Sequence, residues 1–160
     1  MFKIGDYITH PMHGAGVIES IVTKKINGSQ RDYYVLKLPV GDMVVMVPVS
    51  GCEDIGVRSI ISRSEAEKLF SAFSEIEISM TQNWNKRYRE NMDKIKSGNL
   101  LDVASVVKGL MCRDSERGLS TGERKMLHSA KQILISELVI ATNMDYDGVE
   151  KRLCAALEAR

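Results

Sequence analysis

Ser62-Arg63-Ser64-Glu65-Ala66-Glu67-Lys68-Leu69-Phe70-Ser71-Ala72-Phe73 is where the character of the chain changes. Ser64 and Glu67 fit the Ser-x-x-Glu capping box, in which each side chain satisfies a backbone N–H left orphaned at a helix start. Leu69, Phe70 and Phe73 then supply an apolar stripe at helical spacing. Before Ser62 there is almost no helical period, and after it the pattern is helical throughout. Strands followed by helices, without alternation, argue against a βαβ fold. The expected architecture is α+β in two modules: a small antiparallel β-barrel over 1–61 and an all-α bundle over 62–160.

In the first module, Asp6–Thr9 reads as a short strand ending at the turn His10-Pro11-Met12-His13-Gly14. A longer strand from Ala15 to Lys25 runs into Asn27-Gly28, two residues that tolerate the positive φ of a type I′ hairpin turn. Arg31–Leu38 returns, Pro39-Val40-Gly41-Asp42 turns again, and Met43–Val47 forms a further strand. Short strands and tight turns suggest strong bending. The Met43–Val47 run is apolar on both faces, which fits either a strand buried from both sides or an open edge offered to a partner. Val44 and Val45 are assigned to the core and Met46 to either.

In the second module, a polar break over 77–82 precedes a helix ending at Ser97-Gly98, with Lys94 and Lys96 where cations suit the dipole. Asn99 is expected to cap the next helix, to about Cys112, with Arg113–Gly118 as a charged loop. Ser120-Thr121-Gly122-Glu123 is a second capping box opening a long helix, and Asp145 caps a last one.

The 160 residues carry a net charge of +1, so any nucleic-acid contact must come from a local patch. Cys52, Cys112 and Cys154 are scattered and form no zinc pattern, which suits free thiols in a reducing cytoplasm. There is no secretory leader and no apolar run of membrane-spanning length. His10 and His13 lack a third ligand and His128 stands alone. The acids mostly alternate with bases at helical spacing, and no serine sits in a nucleophile elbow. These absences describe a non-enzyme with no catalytic residues, metal or cofactor.

The most distinctive stretch is Asn83-Trp84-Asn85-Lys86-Arg87-Tyr88-Arg89, which holds the sole tryptophan. A ring among cations suits a distorted nucleic acid, with charge on phosphates and the ring against a base step. Yet Trp84, Tyr88, Met92 and Ile95 share one helical stripe, and such stripes are usually core. A second basic group, Arg113, Arg117, Arg124, Lys125 and Lys131, is interleaved with acids. Arg124 and Lys125 stand at the helix end where cations are electrostatically disfavoured, which hints at an anionic partner.

Phe2-Lys3-Ile4-Gly5-Asp6, His10-Pro11-Met12-His13-Gly14, Tyr34-Val35-Leu36, Gly56-Val57-Arg58, Asn83–Tyr88, Lys94-Ile95-Lys96-Ser97-Gly98 and Leu119–Leu127 together resemble the CarD/CdnL family of bacterial RNA-polymerase-binding regulators. The resemblance runs to about Ala141; its β motifs are shared with the polymerase-binding module of transcription–repair coupling factors. It implies a Tudor-like barrel that docks on the β subunit of RNA polymerase by pairing strands. It also implies a helical domain at the upstream edge of the transcription bubble. There Trp84 would wedge into the minor groove of promoter DNA and hold the promoter open without reading sequence. Arg87 and Arg89 would then lie near phosphates, with Lys86, Arg124 and Lys125 as further candidates. Lys24 falls where the family places a basic polymerase contact. At the other such position actinobacterial members have arginine and this chain has Met46, so Ile26 with Met46 is expected to make an apolar contact instead. The implied protein is a monomer in its functional complex, cytoplasmic, and held on the nucleoid through polymerase. The alternative is an adaptor on polymerase whose helical domain engages another protein.

Overall fold

A computed structural model describes residues 1–78 and 81–158. Five strands come first: β1 (Tyr7–His10), β2 (Gly14–Ile26), β3 (Ser29–Leu38), β4 (Met43–Pro48) and β5 (Arg58–Ser59). Five helices follow: α1 (Arg63–Phe73), α2 (Trp84–Lys96), α3 (Leu100–Arg117), α4 (Thr121–Thr142) and α5 (Tyr146–Glu158). The protein is α+β, as its sequence pattern predicts.

The strands pair antiparallel in the order β4-β3-β2-β1-β5. Asn27 and Gly28 adopt φ of +51° and +82°, the two left-handed residues that a type I′ hairpin requires. A register shift between Ile18 and Ser20 bulges β2 at Glu19, which sharpens the local twist. Ile8, Ile18, Tyr34, Leu36, Leu38, Val47, Cys52 and Val57 fill the inner face. β5 has only two residues and is held by pairing with β1, so it leaves no periodicity to read.

β4 departs from expectation. Val44 is 61% exposed, not core, and Met43 and Met46 are also exposed, whereas Val47 is buried. The reason is topological: β4 pairs only with β3 and is the edge of the sheet. Of its two apolar faces, one covers the core and the other meets solvent.

Two helix boundaries also move. The first capping box is Ser62 with Glu65, two residues before the expected Ser64–Glu67, so α1 begins at Arg63. The apolar stripe fits both starts, and extended backbone at Ser62 selects between them. Arg113–Arg117 is the last turn of α3 and not a loop; the helix stops at Gly118, whose φ is +77°. That turn is polar and mostly exposed, so its helical period carries no hydrophobic signal. Asn99 and Asp145 cap α3 and α5 as expected, through bonds to the N–H groups of Leu101 and Gly148.

The helical core gathers Phe73, Ile95, Val107, Leu110, Leu134 and Leu138. The wholly buried Lys108 donates to the carbonyls of Ser74 and Ile76, at and beyond the end of α1 (2.9 and 2.8 Å). The modules meet where α4 packs on β2. Buried Ala15 donates its N–H to Ser136 Oγ (2.9 Å), and Gly14, at φ +98°, lies so close that a Cβ there would stand 2.5 Å from the same oxygen.

Candidate nucleic-acid interface

Asn83 opens α2, its side-chain oxygen accepting the N–H of Lys86 at 3.0 Å. Trp84 takes the first helical position and is 43% exposed. Its ring stacks on Tyr88 one turn later, with centroids 5.2 Å apart and planes at 21°. Its Nε1 donates to Ser120 Oγ across the gap to α4, at 3.2 Å. Farther along the stripe Ile95 is buried, and Tyr88 and Met92 pack partly buried on the core. The stripe is thus core at its C-terminal end and surface at its first turn.

Arg87 is put to a different use from the phosphate contact the resemblance implies. It is only 2% exposed. Its Nε donates to Glu123 Oε2 (2.9 Å), and one terminal nitrogen donates to the carbonyls of Thr81 and Gln82 (3.2 and 3.1 Å). At about 100° of rotation per residue, Arg87 falls on the flank of α2 that also carries Asn91 and Ile95, facing the bundle. Lys86 and Arg89 fall outside it and are exposed.

Glu123 opens α4 as expected, its N–H bonded to Ser120 Oγ (3.2 Å), but its carboxylate does not close the box. One oxygen accepts the Ser120 hydroxyl (3.2 Å) and the other takes Arg87, with Arg113 Nε at 3.8 Å. Burial disfavours charge on this carboxyl. The bond and charge of Arg87, then the Ser120 hydroxyl and Arg113, outweigh burial and hold Glu123 below the usual carboxylate range.

The second basic group divides. Arg113 leans on Glu123, Lys131 pairs with Glu150 (2.7 Å), and Arg117 sits in the last turn of α3. Arg124 and Lys125 remain exposed near the start of α4, where unpaired N–H groups already concentrate positive charge. Since Ser120 touches Trp84, the exposed ring and this positive helix end adjoin.

On the β module, the register aligns Ser20, Val35 and Met46 in one row and Val22, Tyr33 and Pro48 in the next on the same face. By the two-residue alternation of strands, Lys24 and Ile26 point to that face too. Lys24 and Ile26 stand together at the hairpin end. Six residues separate Ile26 from Ser20, so Met46 lies about 20 Å away along the strand. Ile26 and Met46 are therefore two separate apolar points on that one face, both exposed. His10 and His13 are ring neighbours, with centroids 4.6 Å apart; His10 Nδ1 accepts the Met12 N–H, and burial and His13 hold His10 below its usual pKa. A concavity of about 700 Å³ lies between Arg58, Leu69 and Leu101 and is not lined by Trp84.

The spacing of residues did not reveal the partners of Trp84. Ser120 and Glu123 were visible only as a capping box, and Gly122 only as a residue inside it.

Residues 2–61 match the CarD-like/TRCF RID domain and residues 68–154 match the CarD C-terminal domain. The chain belongs to the CarD family, a class of transcription regulators and not an enzyme family. It is 38% identical over 140 residues to "Putative transcription factor YdeB" of Bacillus subtilis (strain 168), covering 88% of this chain and 92% of that protein. Among the described residues no helix is long and apolar enough to cross a membrane.

Proposed function

We propose that this protein docks on the β subunit of RNA polymerase through its β module and stabilises the open promoter by contacting DNA with Trp84. The observation that carries the reading is the half-exposed sole tryptophan beside a positive helix end, with Lys86 and Arg89 exposed on its own helix and Arg124 and Lys125 exposed on the adjoining one. A ring so placed meets a base step in the minor groove at the upstream fork, while the cations meet phosphates. Unstacking costs a few kcal/mol, and a melting promoter has already met part of that cost.

A patch this small is weak alone. Docking on polymerase raises its effective concentration, so sequence readout is not needed. The open edge of β4, with Val44 and Met46 exposed, suits strand pairing, and Lys24 and Ile26 extend the same face toward the hairpin. The protein acts as a monomer in that complex, in the cytoplasm and on the nucleoid through polymerase.

The test is the lifetime of the polymerase–promoter complex with native protein and with Trp84→Ala. The variant should bind polymerase normally and lose the stabilisation. Crosslinking from position 84 should label promoter bases near the upstream fork; labelling of a polypeptide instead supports an adaptor and overturns the DNA reading.

A further inference from the structure

The surroundings of Trp84 form a closed circuit of polar bonds that contact with a base step does not itself require. Indole Nε1 donates to Ser120 Oγ (3.2 Å), the same oxygen accepts the Glu123 N–H (3.2 Å), and its hydroxyl donates to Glu123 Oε1 (3.2 Å). A serine hydroxyl has one hydrogen and two lone pairs, so its capacity is filled. Glu123 Oε2 receives Arg87 Nε (2.9 Å), and Arg87 stands on α2 three residues beyond Trp84, which closes the circuit. Tyr88 stacks on the ring. Gly122 borders its edge, where an added Cβ would come 3.4 Å from Cζ2. That is ordinary van der Waals distance, so the start of α4 lies directly against the ring edge.

We propose that Ser120, Gly122 and the Arg87–Glu123 pair form a seat that fixes the indole's orientation before DNA arrives, which makes Ser120 a positioning residue for Trp84. The functional half of this inference rests on Trp84 contacting DNA; the seat itself does not. A surface indole ordinarily samples several rotamers and loses them on binding. Here an acceptor at Nε1 and a stacked ring restrain it in advance, with Gly122 bordering its edge. Ser120 also caps α4, so the ring and the positive helix end are set by one hydroxyl.

Trp84 is the sole tryptophan, so the emission of the full-length protein reports on this ring alone. Ser120→Gly removes the hydroxyl while keeping most of the capping preference, and Ser120→Thr keeps both. Ser120→Gly should shift Trp84 emission to the red and raise its quenching by acrylamide at little cost in melting temperature. Ser120→Thr should restore native values. In the polymerase–promoter complex, Ser120→Gly should shorten open-complex lifetime, by less than Trp84→Ala does. Native emission and quenching in Ser120→Gly, or a Ser120→Thr variant that behaves like it, overturns the seat. An altered emission with the lifetime shortened in Trp84→Ala but native in Ser120→Gly overturns the positioning role. An altered emission with both variants native in lifetime leaves the seat standing and overturns the DNA reading.

Discussion

Glu137, within α4 and wholly buried, accepts two hydrogen bonds from the guanidinium of Arg58 on β5, at 2.7 and 3.0 Å. It also takes the N–H of Ile61 (2.8 Å), while Arg58 Nε donates to the Gly98 carbonyl at the turn between α2 and α3 (2.9 Å). One ion pair thus ties the last strand, the connection and two parts of the bundle. It joins the modules alongside the packing of α4 on β2.

The two partners are unequally buried, since the Arg58 side chain keeps 33% of its exposure and that of Glu137 keeps none. Removing Arg58 strands a carboxylate in the interior; Glu137→Gln keeps an acceptor and leaves Arg58 able to hydrate. We expect Arg58→Ala to destabilise by about 3 kcal/mol and Glu137→Gln by distinctly less. Chemical denaturation of both variants checks the order; equal costs would mean the pair contributes no buried-charge effect.

Arg87→Met should also destabilise by about 3 kcal/mol, because it leaves Glu123 buried without its main partner. The pH dependence gives a sharper check. Glu123 titrates below its ordinary 4.5 in the folded protein, so its contribution is present above that pH and is lost as pH falls through the folded value. Without Arg87, burial dominates and raises the folded pKa, so protonation then favours folding. The difference in stability between native protein and variant should therefore shrink on acidification. A constant difference from neutrality to pH 3 would count against the pairing.

Ser136→Ala should cost about 1–3 kcal/mol, since it strands the buried N–H of Ala15 where the modules meet. Gly14→Ala meets the same serine and also needs a positive φ, so it should cost more than an ordinary surface change. Thermal melts of the two variants read this out. A native melting temperature for Gly14→Ala would mean that the sheet and α4 can part without loss.

Val44→Asp alters an exposed side chain on an edge strand, so the fold should change by no more than about 0.5 kcal/mol. Binding to RNA polymerase should fall sharply if β4 supplies the docking edge. Pull-down of polymerase by folded Val44→Asp protein at native strength would remove β4 from the proposed interface.

Most turns and caps were readable in the residues, the start of α1 excepted. Asn27-Gly28 forms its hairpin, and Ser120, Asn99 and Asp145 cap the helices assigned to them. The faces of β4 were not readable, because an apolar run looks the same in a central strand and at an open edge. The end of α3 was missed for the opposite reason: its final turn buries too little to leave an apolar period.

Arg87 marks the division most clearly. It stands in a run of cations and looks like its neighbours, yet Lys86 and Arg89 face solvent while Arg87 is sealed against Glu123, thirty-six positions away. The sequence by itself determined the succession of strands and helices, the hairpin and most helix starts, because those depend on backbone preferences and bonds spanning a few residues. Only the tertiary structure decided which basic side chains remain free, how the indole is held and how the modules join. Burial and charge pairing are settled by whatever the fold brings alongside, and here those neighbours come from far along the chain.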